Sequence, residues 1–483
     1  MSENDEKQNL TPTPEPPADP VVKQHSIKVG GKALNYTTTT GLMPIKDDEG
    51  NIKANLFYVA YTKDDVEDTT RRPLTIVYNG GPGSSTIWLH MGGVAPRRVK
   101  MLEDGGMPRP PFELVDNEFT WLTETDLVFV DPVDTGFSRA TSEENADAAK
   151  GVEGDIASVG EFIRMYLVRN ARWQSPLFLA GESYGTFRSA GLAGYLIDRG
   201  MAFSGIILIS SILNMQTARF TLGNDLPYQL FLPTYAATAW YHQKIDKNLR
   251  KKSIRAYLDE VEAWVEGEYV QALSLGDRID EQHADRIATD LSRFTGLSVE
   301  FIKNSNLRIN IMQFCKELKR DQRRNVGRLD SRFEAWDKDG VDDMPEFDPS
   351  MNGIIPPFGS VLQPYIRAEL GYESDVEYHI IRGFGPKWNN GDASKGYADT
   401  SDALRSALAK NPYMNVFIAS GYYDLATPYY ATEYTFSHMN LDPSVRGNIQ
   451  IEEYPTGHMI YIEHESLVKL NDDCRTFIRE SAS

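Results

Sequence analysis

Cysteine is scarce. Only Cys315 and Cys474 occur in 483 residues, which excludes a fold stapled by several disulfides and leaves room for one bridge at most. Such low use suits a reducing compartment. No run of about eighteen apolar residues exists, so no membrane-spanning helix is expected. The first twenty residues, MSENDEKQNLTPTPEPPADP, contain no apolar h-region, so no secretory signal is expected and the location read from the sequence is cytoplasmic. Positive charge is in deficit: 50 Lys and Arg stand against 69 Asp and Glu, a formal net charge of −19. Such a surface repels nucleic acid and anionic membrane, and neither is expected as a partner. His-Glu-x-x-His is missing, and His458 and His464 lack ligand spacing, so no metal is expected. The acidic loop Asp337–Asp343 has its glycine too early for an EF-hand and reads as a solvated loop.

What is present is ordinary for a globular protein: 41% apolar and 25% charged residues. The length exceeds what one core usually serves, so a large domain with an insertion, or two domains, is expected. Residues 1–24 are rich in Pro, Glu and Asp and read as a disordered tail. Ser26–Thr39, with the turn Gly30-Gly31, and Ile52–Tyr61 alternate and read as antiparallel strands. From Pro73 onward, short apolar runs suit strands buried on both faces of a mostly parallel sheet. They are Leu74–Tyr78, Leu127–Val130, Leu177–Ala180, Ile206–Ile209, Asn415–Ala419 and Ile449–Glu453. Helices are expected over Val152–Val168 and Tyr184–Arg199, the second stopped by Gly200. The alternation predicts an α/β sheet with right-handed crossovers. It lapses between about Thr221 and Gly371, where Leu249–Leu273 and His283–Leu291 are charged and helix-periodic. The organisation read is a core over 25–220, a mainly helical cap over 221–375, and a return to the same sheet over 376–483, with sheet texture resuming near Tyr378.

Three positions converge on one chemistry. Gly181-Glu182-Ser183-Tyr184-Gly185 places a serine between a strand and a helix, the context of a strained nucleophile elbow. An alcohol needs a base to take its proton. Of the eight histidines, His458 lies in a glycine-containing loop just after a strand, in Thr456-Gly457-His458-Met459. The imidazole needs an acceptor that fixes its tautomer, and Asp424 follows the strand Asn415–Ala419. The order Ser183, Asp424, His458 is that of the α/β-hydrolase fold. A fourth element, Asn79-Gly80-Gly81-Pro82-Gly83-Ser84-Ser85, follows Leu74–Tyr78 and lacks the Gly-Lys-Ser/Thr of a phosphate cradle. Its glycines suit an oxyanion loop, with the Gly81 and Tyr184 N–H groups as donors.

These pieces, with Thr135-Gly136-Phe137-Ser138 between them, occur in the order found in the serine carboxypeptidases of peptidase family S10, which the chain resembles from about Asn79 onward. The resemblance implies release of residues from a free peptide C-terminus without a cofactor. It implies that Asn79, Gly80 and Glu182 hold the terminal carboxylate and that Met459 lines the leaving-residue pocket. Glu182 must then share a proton with that carboxylate, since two bare carboxylates repel; the competing reading is a salt bridge to Arg188. Three features depart from the family. Val77 replaces a tryptophan, Gly93 stands where an acidic partner of the glutamate is common, and members are usually secretory or vacuolar and disulfide-rich. An esterase or acyltransferase on the same residues, and an inactive binding protein on a hydrolase core, are the competing functions. The oligomeric state is left open, a homodimer being one option.

Overall fold

Alternation sets the first strands. β1 (Val21–Val29), β2 (Lys32–Lys46) and β3 (Ile52–Lys63) pair antiparallel. Gly30 and Gly31 join the first two at φ of 55° and 78°, a left-handed pair that side chains resist. The computed structural model describes residues 18–383, 387–391 and 396–483. Residues 1–17 of the expected tail lie outside that range. The tail reading also covers Val21, Val22, Lys23 and Gln24, but these are strand and pair with Thr37–Thr40. Backbone hydrogen bonds to the open edge of β2 order them without demanding apolar side chains.

The apolar runs then build the rest of the sheet. β4 (Leu74–Tyr78), β5 (Asp126–Val130), β6 (Leu177–Glu182), β7 (Gly205–Ile209), β8 (Asn415–Gly421) and β9 (Ile449–Tyr454) lie parallel to one another. The strand order is β1-β2-β3-β5-β4-β6-β7-β8-β9, and β3 joins the parallel set antiparallel through β5. Successive side chains point to opposite faces. Val77, Phe129, Phe178, Ile207 and Phe417 enter one core, while Ile76, Val128, Leu179, Leu208 and Ile418 enter the other. Both faces are covered from β4 to β8, which is why those strands carry no polar face, whereas the edge strand β9 is half exposed and carries Gln450, Glu452 and Glu453.

α1 (Val152–Arg169) and α2 (Tyr184–Ile197) cover the second face. Between β7 and β8 come α3 (Leu226–Tyr241), α4 (Ile254–Trp264), α5 (Glu281–Thr295), α6 (Pro349–Pro364) and α7 (Ser401–Lys410). α5 shows how the local sequence sets such a helix. The Asp280 side chain accepts from the His283 N–H at its start, and Gly296 ends it at φ 72°. α3, α4 and α5 bury a third core around Phe231, Tyr257, Leu291 and Phe314, and Tyr422, Tyr423 and Tyr429 of the sheet domain join it. The cap is therefore packed onto the segment that follows β8.

Main-sheet strands do not resume near Tyr378. His379 and Ile381 form isolated bridges to Gly136 and Ser84, and the next strand among the described residues begins at Asn415. α7 intervenes and packs Leu404 into the second core. α8 (Tyr429–Ser437) and α9 (His464–Ser481) complete the chain. Cys474 of α9 and Cys315 of the cap are free, buried and in different cores. No described helix is long and apolar enough to cross a membrane.

Candidate active site

The elbow between β6 and α2 holds Ser183 at φ 59°, ψ −129°, a conformation costing about 1–3 kcal/mol for a non-glycine residue. It persists because its backbone is tied on both sides. The Ser183 N–H donates to the Ile209 carbonyl at 3.0 Å, and the Thr186 N–H and hydroxyl donate to the Ser183 carbonyl at 2.9 and 2.6 Å. The Ser183 hydroxyl makes no capping bond to its own helix. Three glycines make the turn fit. A Cβ on Gly181 would lie 2.3 Å from the Gly185 carbonyl oxygen, one on Gly80 would lie 2.3 Å from the Tyr184 nitrogen, and one on Gly185 would lie 3.0 Å from the Tyr78 carbonyl oxygen. The Asn79–Ser85 loop therefore lies against the start of α2, with the Tyr184 nitrogen beside Gly80.

His458 reaches the same place from the loop after β9. Its Nδ1 lies 2.7 Å from Asp424 Oδ2, and both side chains are buried. The Asp424 carboxylate is fully engaged. Oδ1 accepts the Ala426 and Thr427 N–H groups at 2.7 and 3.0 Å, and Oδ2 also accepts the Thr427 hydroxyl at 2.7 Å. The loop is pinned at its backbone. The His458 N–H donates to the Leu329 carbonyl at 2.7 Å, and the Ser210 hydroxyl donates to the His458 carbonyl at 2.6 Å. Asp330, paired with Arg332, accepts the Gly457 N–H at 3.2 Å. Burial works to lower the imidazole pKa, but the charge and hydrogen bond of Asp424, helped by Glu182, outweigh it and raise the value.

Glu182 and Asn79 form the neighbouring pair. Asn79 Nδ2 donates to Glu182 Oε1 at 3.0 Å, and Asn79 Oδ1 accepts the Leu89 N–H at 3.1 Å. Glu182 Oε2 is buried with no hydrogen-bond partner. Burial pushes this carboxyl up to about 7; the charge of Asp424 adds to that, while His458, Tyr461 and Asn79 pull the other way. The salt bridge to Arg188 does not form. Arg188 pairs instead with Asp155 through bonds of 2.7 and 3.0 Å, and donates to the Asn79 carbonyl at 2.8 Å. That buried pair props the loop from below. Replacing Arg188 by Met is expected to cost about 3–5 kcal/mol in a denaturant titration, because Asp155 is left buried and unpaired; a loss below about 1 kcal/mol would contradict this.

A cleft of about 390 Å³ joins these groups. Asn79, Gly80, Gly81, Glu182, Ser183, Tyr184, His458 and Met459 all line it, so every site residue read from the sequence, bar the buried Asp424 behind His458, borders one cavity. Arg219 and Arg328, which sequence reasoning passed over, line it too. A larger groove of about 890 Å³ lies elsewhere, beside β2 and α1. Two partly exposed ion pairs line it, Lys53 with Asp47 and Arg164 with Glu161, and no histidine or cysteine does. Sequence reasoning also missed Thr427 and Ser210. An Asp424-x-x-Thr427 spacing is a local turn signal that could have found the first; Ser210, at φ 51° after β7, has no such signal.

The motif Thr135–Ser138 supports rather than borders the cleft. The Ser138 hydroxyl donates to the Asp131 carbonyl at 2.6 Å and accepts the Phe57 N–H at 2.8 Å. Val77 is buried within the sheet, beside Phe129 and Ala180. Gly93 is crowded, since a Cβ there would lie 2.6 Å from Leu467 Cδ1 and 3.1 Å from Tyr461 Cβ, so a side chain would displace both.

The chain is similar to several known proteins. The serine carboxypeptidase-like 37 protein of Arabidopsis thaliana is 26% identical over 216 residues, 42% of each chain. The pheromone-processing carboxypeptidase KEX1 of Saccharomyces cerevisiae (strain JAY291) is 35% identical over 145 residues, 29% of this chain and 18% of the relative. The chain thus aligns with less than half the length of these curated relatives. The crystal structure of KEX1(delta)p, a prohormone-processing carboxypeptidase from Saccharomyces cerevisiae, superimposes with a TM-score of 0.56 at 14% identity, covering 92% of both chains; this shows the shared α/β-hydrolase fold. The cytoplasmic location drawn from the N-terminal residues is overturned by these relatives, serine carboxypeptidase-like proteins and a pheromone-processing carboxypeptidase. A family model described as serine carboxypeptidase, Peptidase_S10, matches residues 29–456. With that match running across both halves of the sheet and the cap between them, the chain belongs to the serine carboxypeptidase family.

Proposed function

We propose that this chain hydrolyses the last peptide bond of substrates that carry a free C-terminal carboxylate. In this reading Ser183 is the nucleophile, His458 the base and Asp424 the group that orients it. The Ser183 Oγ attacks the scissile carbonyl and its proton passes to His458 Nε2. The negative oxygen is met by the Gly81 and Tyr184 N–H groups, each such donor contributing about 3 kcal/mol to the transition state. His458 then gives the proton to the departing amine, and a water activated by the same imidazole releases the acyl group.

One observation favours a peptide C-terminus over a simple ester: the Asn79–Glu182 pair at 3.0 Å, buried in the wall of the same cleft as Ser183. An ester has no carboxylate for it to receive. Asn79 supplies an amide donor, the Gly80 backbone lies alongside, and a protonated Glu182 shares its hydrogen with the substrate. Met459, in the same wall, touches the leaving residue.

The sign of the pH dependence follows. Glu182 carries its proton below about pH 7. Above that, two anions face each other and binding weakens. The kcat/KM for a blocked dipeptide with a free carboxylate is expected to fall about tenfold per pH unit beyond the Glu182 midpoint. The same dipeptide amidated at its C-terminus should show no such fall. Glu182→Gln should remove the descending limb and reduce the preference for free acid over amide by about tenfold. Unchanged profiles on both substrates would count against this role. As pH drops, protonation of His458 sets the opposite limb, displaced upward by its raised pKa.

A further inference from the structure

We infer that Tyr461 is a positioning residue for Glu182, its phenol donating to the Glu182 carboxyl from behind the cleft and aiming that carboxyl at the substrate. The inference rests on the reading of Glu182 as a receiver of the terminal carboxylate and adds a residue to it.

Two buried polar atoms lack partners at this spot. Glu182 Oε2 and Tyr461 Oη each form no hydrogen bond, which is costly for groups removed from water. The fold brings the two elements together: Asn79, bonded to Glu182, accepts the N–H of Leu89 at the head of the turn His90–Val94, and Tyr461 packs on that turn; the phenol and the carboxyl act on each other electrostatically. Tyr461 is 2% exposed. It does not line the substrate cleft but opens on the other side, toward Arg98, Val99 and Leu467. A hydrogen bond between them would satisfy both atoms at once.

The backbone is shaped to admit the ring. Tyr461 follows His458 in the turn Ile460–Ile462, so the loop that delivers the imidazole also delivers the phenol. Opposite it, the helical turn His90–Val94 carries two adjacent glycines. A Cβ on Gly92 would come within 2.2 Å of Tyr461 Cε2 and 2.3 Å of Cδ2, and one on Gly93 within 3.1 Å of Tyr461 Cβ. A side chain at Gly92 would overlap the ring, and one at Gly93 would crowd the Tyr461 Cβ. Gly93, where the family resemblance leads one to expect an acidic partner of the glutamate, is thus occupied from across the gap by an aromatic ring with a donor at its tip. Burial raises the phenol pKa well above its ordinary value, so it keeps its hydrogen wherever the protein is folded. The other groups acting on Glu182 are His458, Asp424 and Asn79, and none of them replaces a donor on Oε2.

Tyr461→Phe keeps the ring and removes only the donor. Two measurements on the full chain test it. The first needs no substrate: the carboxyl stretch of Glu182, isolated as an infrared difference against Glu182→Gln, is titrated with pH. A phenol that donates to the carboxylate favours the ionised form, so its loss should move the midpoint upward by about one pH unit. A midpoint within about 0.2 units of the parent would overturn the inference. The second is kinetic. Well below pH 7, where Glu182 is protonated in both proteins, KM for the free-acid dipeptide should rise about tenfold with kcat within about twofold, and the dipeptide amide should be unaffected. An equal loss on acid and amide would make Tyr461 a packing residue and overturn the positioning role. Should the parent enzyme show no preference for the free acid, the functional reading fails, while the infrared midpoint still decides whether the phenol donates to Glu182.

Discussion

Ser183→Ala is expected to lower kcat by about 10⁴-fold or more without loss of folded structure. The size follows from the absence of any substitute. The residual rate of such a variant comes from the Gly81 and Tyr184 N–H groups and from substrate binding alone, and His458 would have to act on water without a covalent intermediate. The fold should survive because the elbow is held by the Ser183 backbone rather than its hydroxyl, through the Ile209 carbonyl and Thr186. Steady-state kinetics on a blocked dipeptide, beside a denaturant titration, measures both halves. A Ser183→Ala variant that retains more than about a hundredth of the parent kcat would remove Ser183 from the nucleophile's role.

Asp424→Asn is expected to cost about as much, near 10⁴-fold in kcat. Both oxygens of the carboxylate are committed. Oδ1 accepts two backbone N–H groups, from Ala426 and Thr427, and Oδ2 accepts the Thr427 hydroxyl while facing His458 Nδ1. In the asparagine variant the remaining oxygen must serve the two backbone donors, so the amide nitrogen faces the imidazole. The ring then presents Nδ1 as an acceptor and carries its hydrogen on Nε2, where it cannot take a proton from Ser183. The site would be correctly built and wrongly protonated. The check is kcat together with retained affinity for a non-hydrolysed peptide. A variant that loses affinity and fold along with rate would point to a structural role for Asp424.

The parallel strands were legible because their chemistry is local and complete. Each run such as Leu177–Ala180 or Ile206–Ile209 is apolar on both faces, and both faces proved to be covered. Ser183, Asp424 and His458 were legible as candidates because each stands in a loop directly after a strand of the parallel set, where a parallel sheet gathers its functional groups. Other features were written across the fold rather than along the chain. The Arg188–Asp155 pair joins α2 to α1, and neither residue carries a signal of the other in its neighbourhood. Tyr461 matters only because Gly92 and Gly93, far away in sequence, make space for its ring. The strand at Val21–Gln24 was hidden by its polar surroundings, since edge pairing draws on backbone groups that composition does not reveal. The segment around Tyr378 imitated a sheet strand because Tyr378 and Ile380 pack against the core, although only isolated bridges form there. Cellular location was misread because composition at one end of a chain is a weak guide beside the company its relatives keep.

The central claim is that one hydroxyl, activated by His458 and Asp424, is uniquely reactive in this fold. Treating the native protein with a fluorophosphonate and mapping the adduct by mass spectrometry tests it most directly. A single adduct on Ser183, lost in Ser183→Ala and slowed by at least about a hundredfold in His458→Ala, is the result this account predicts. A folded protein that takes no adduct, or takes it on another residue, would contradict it.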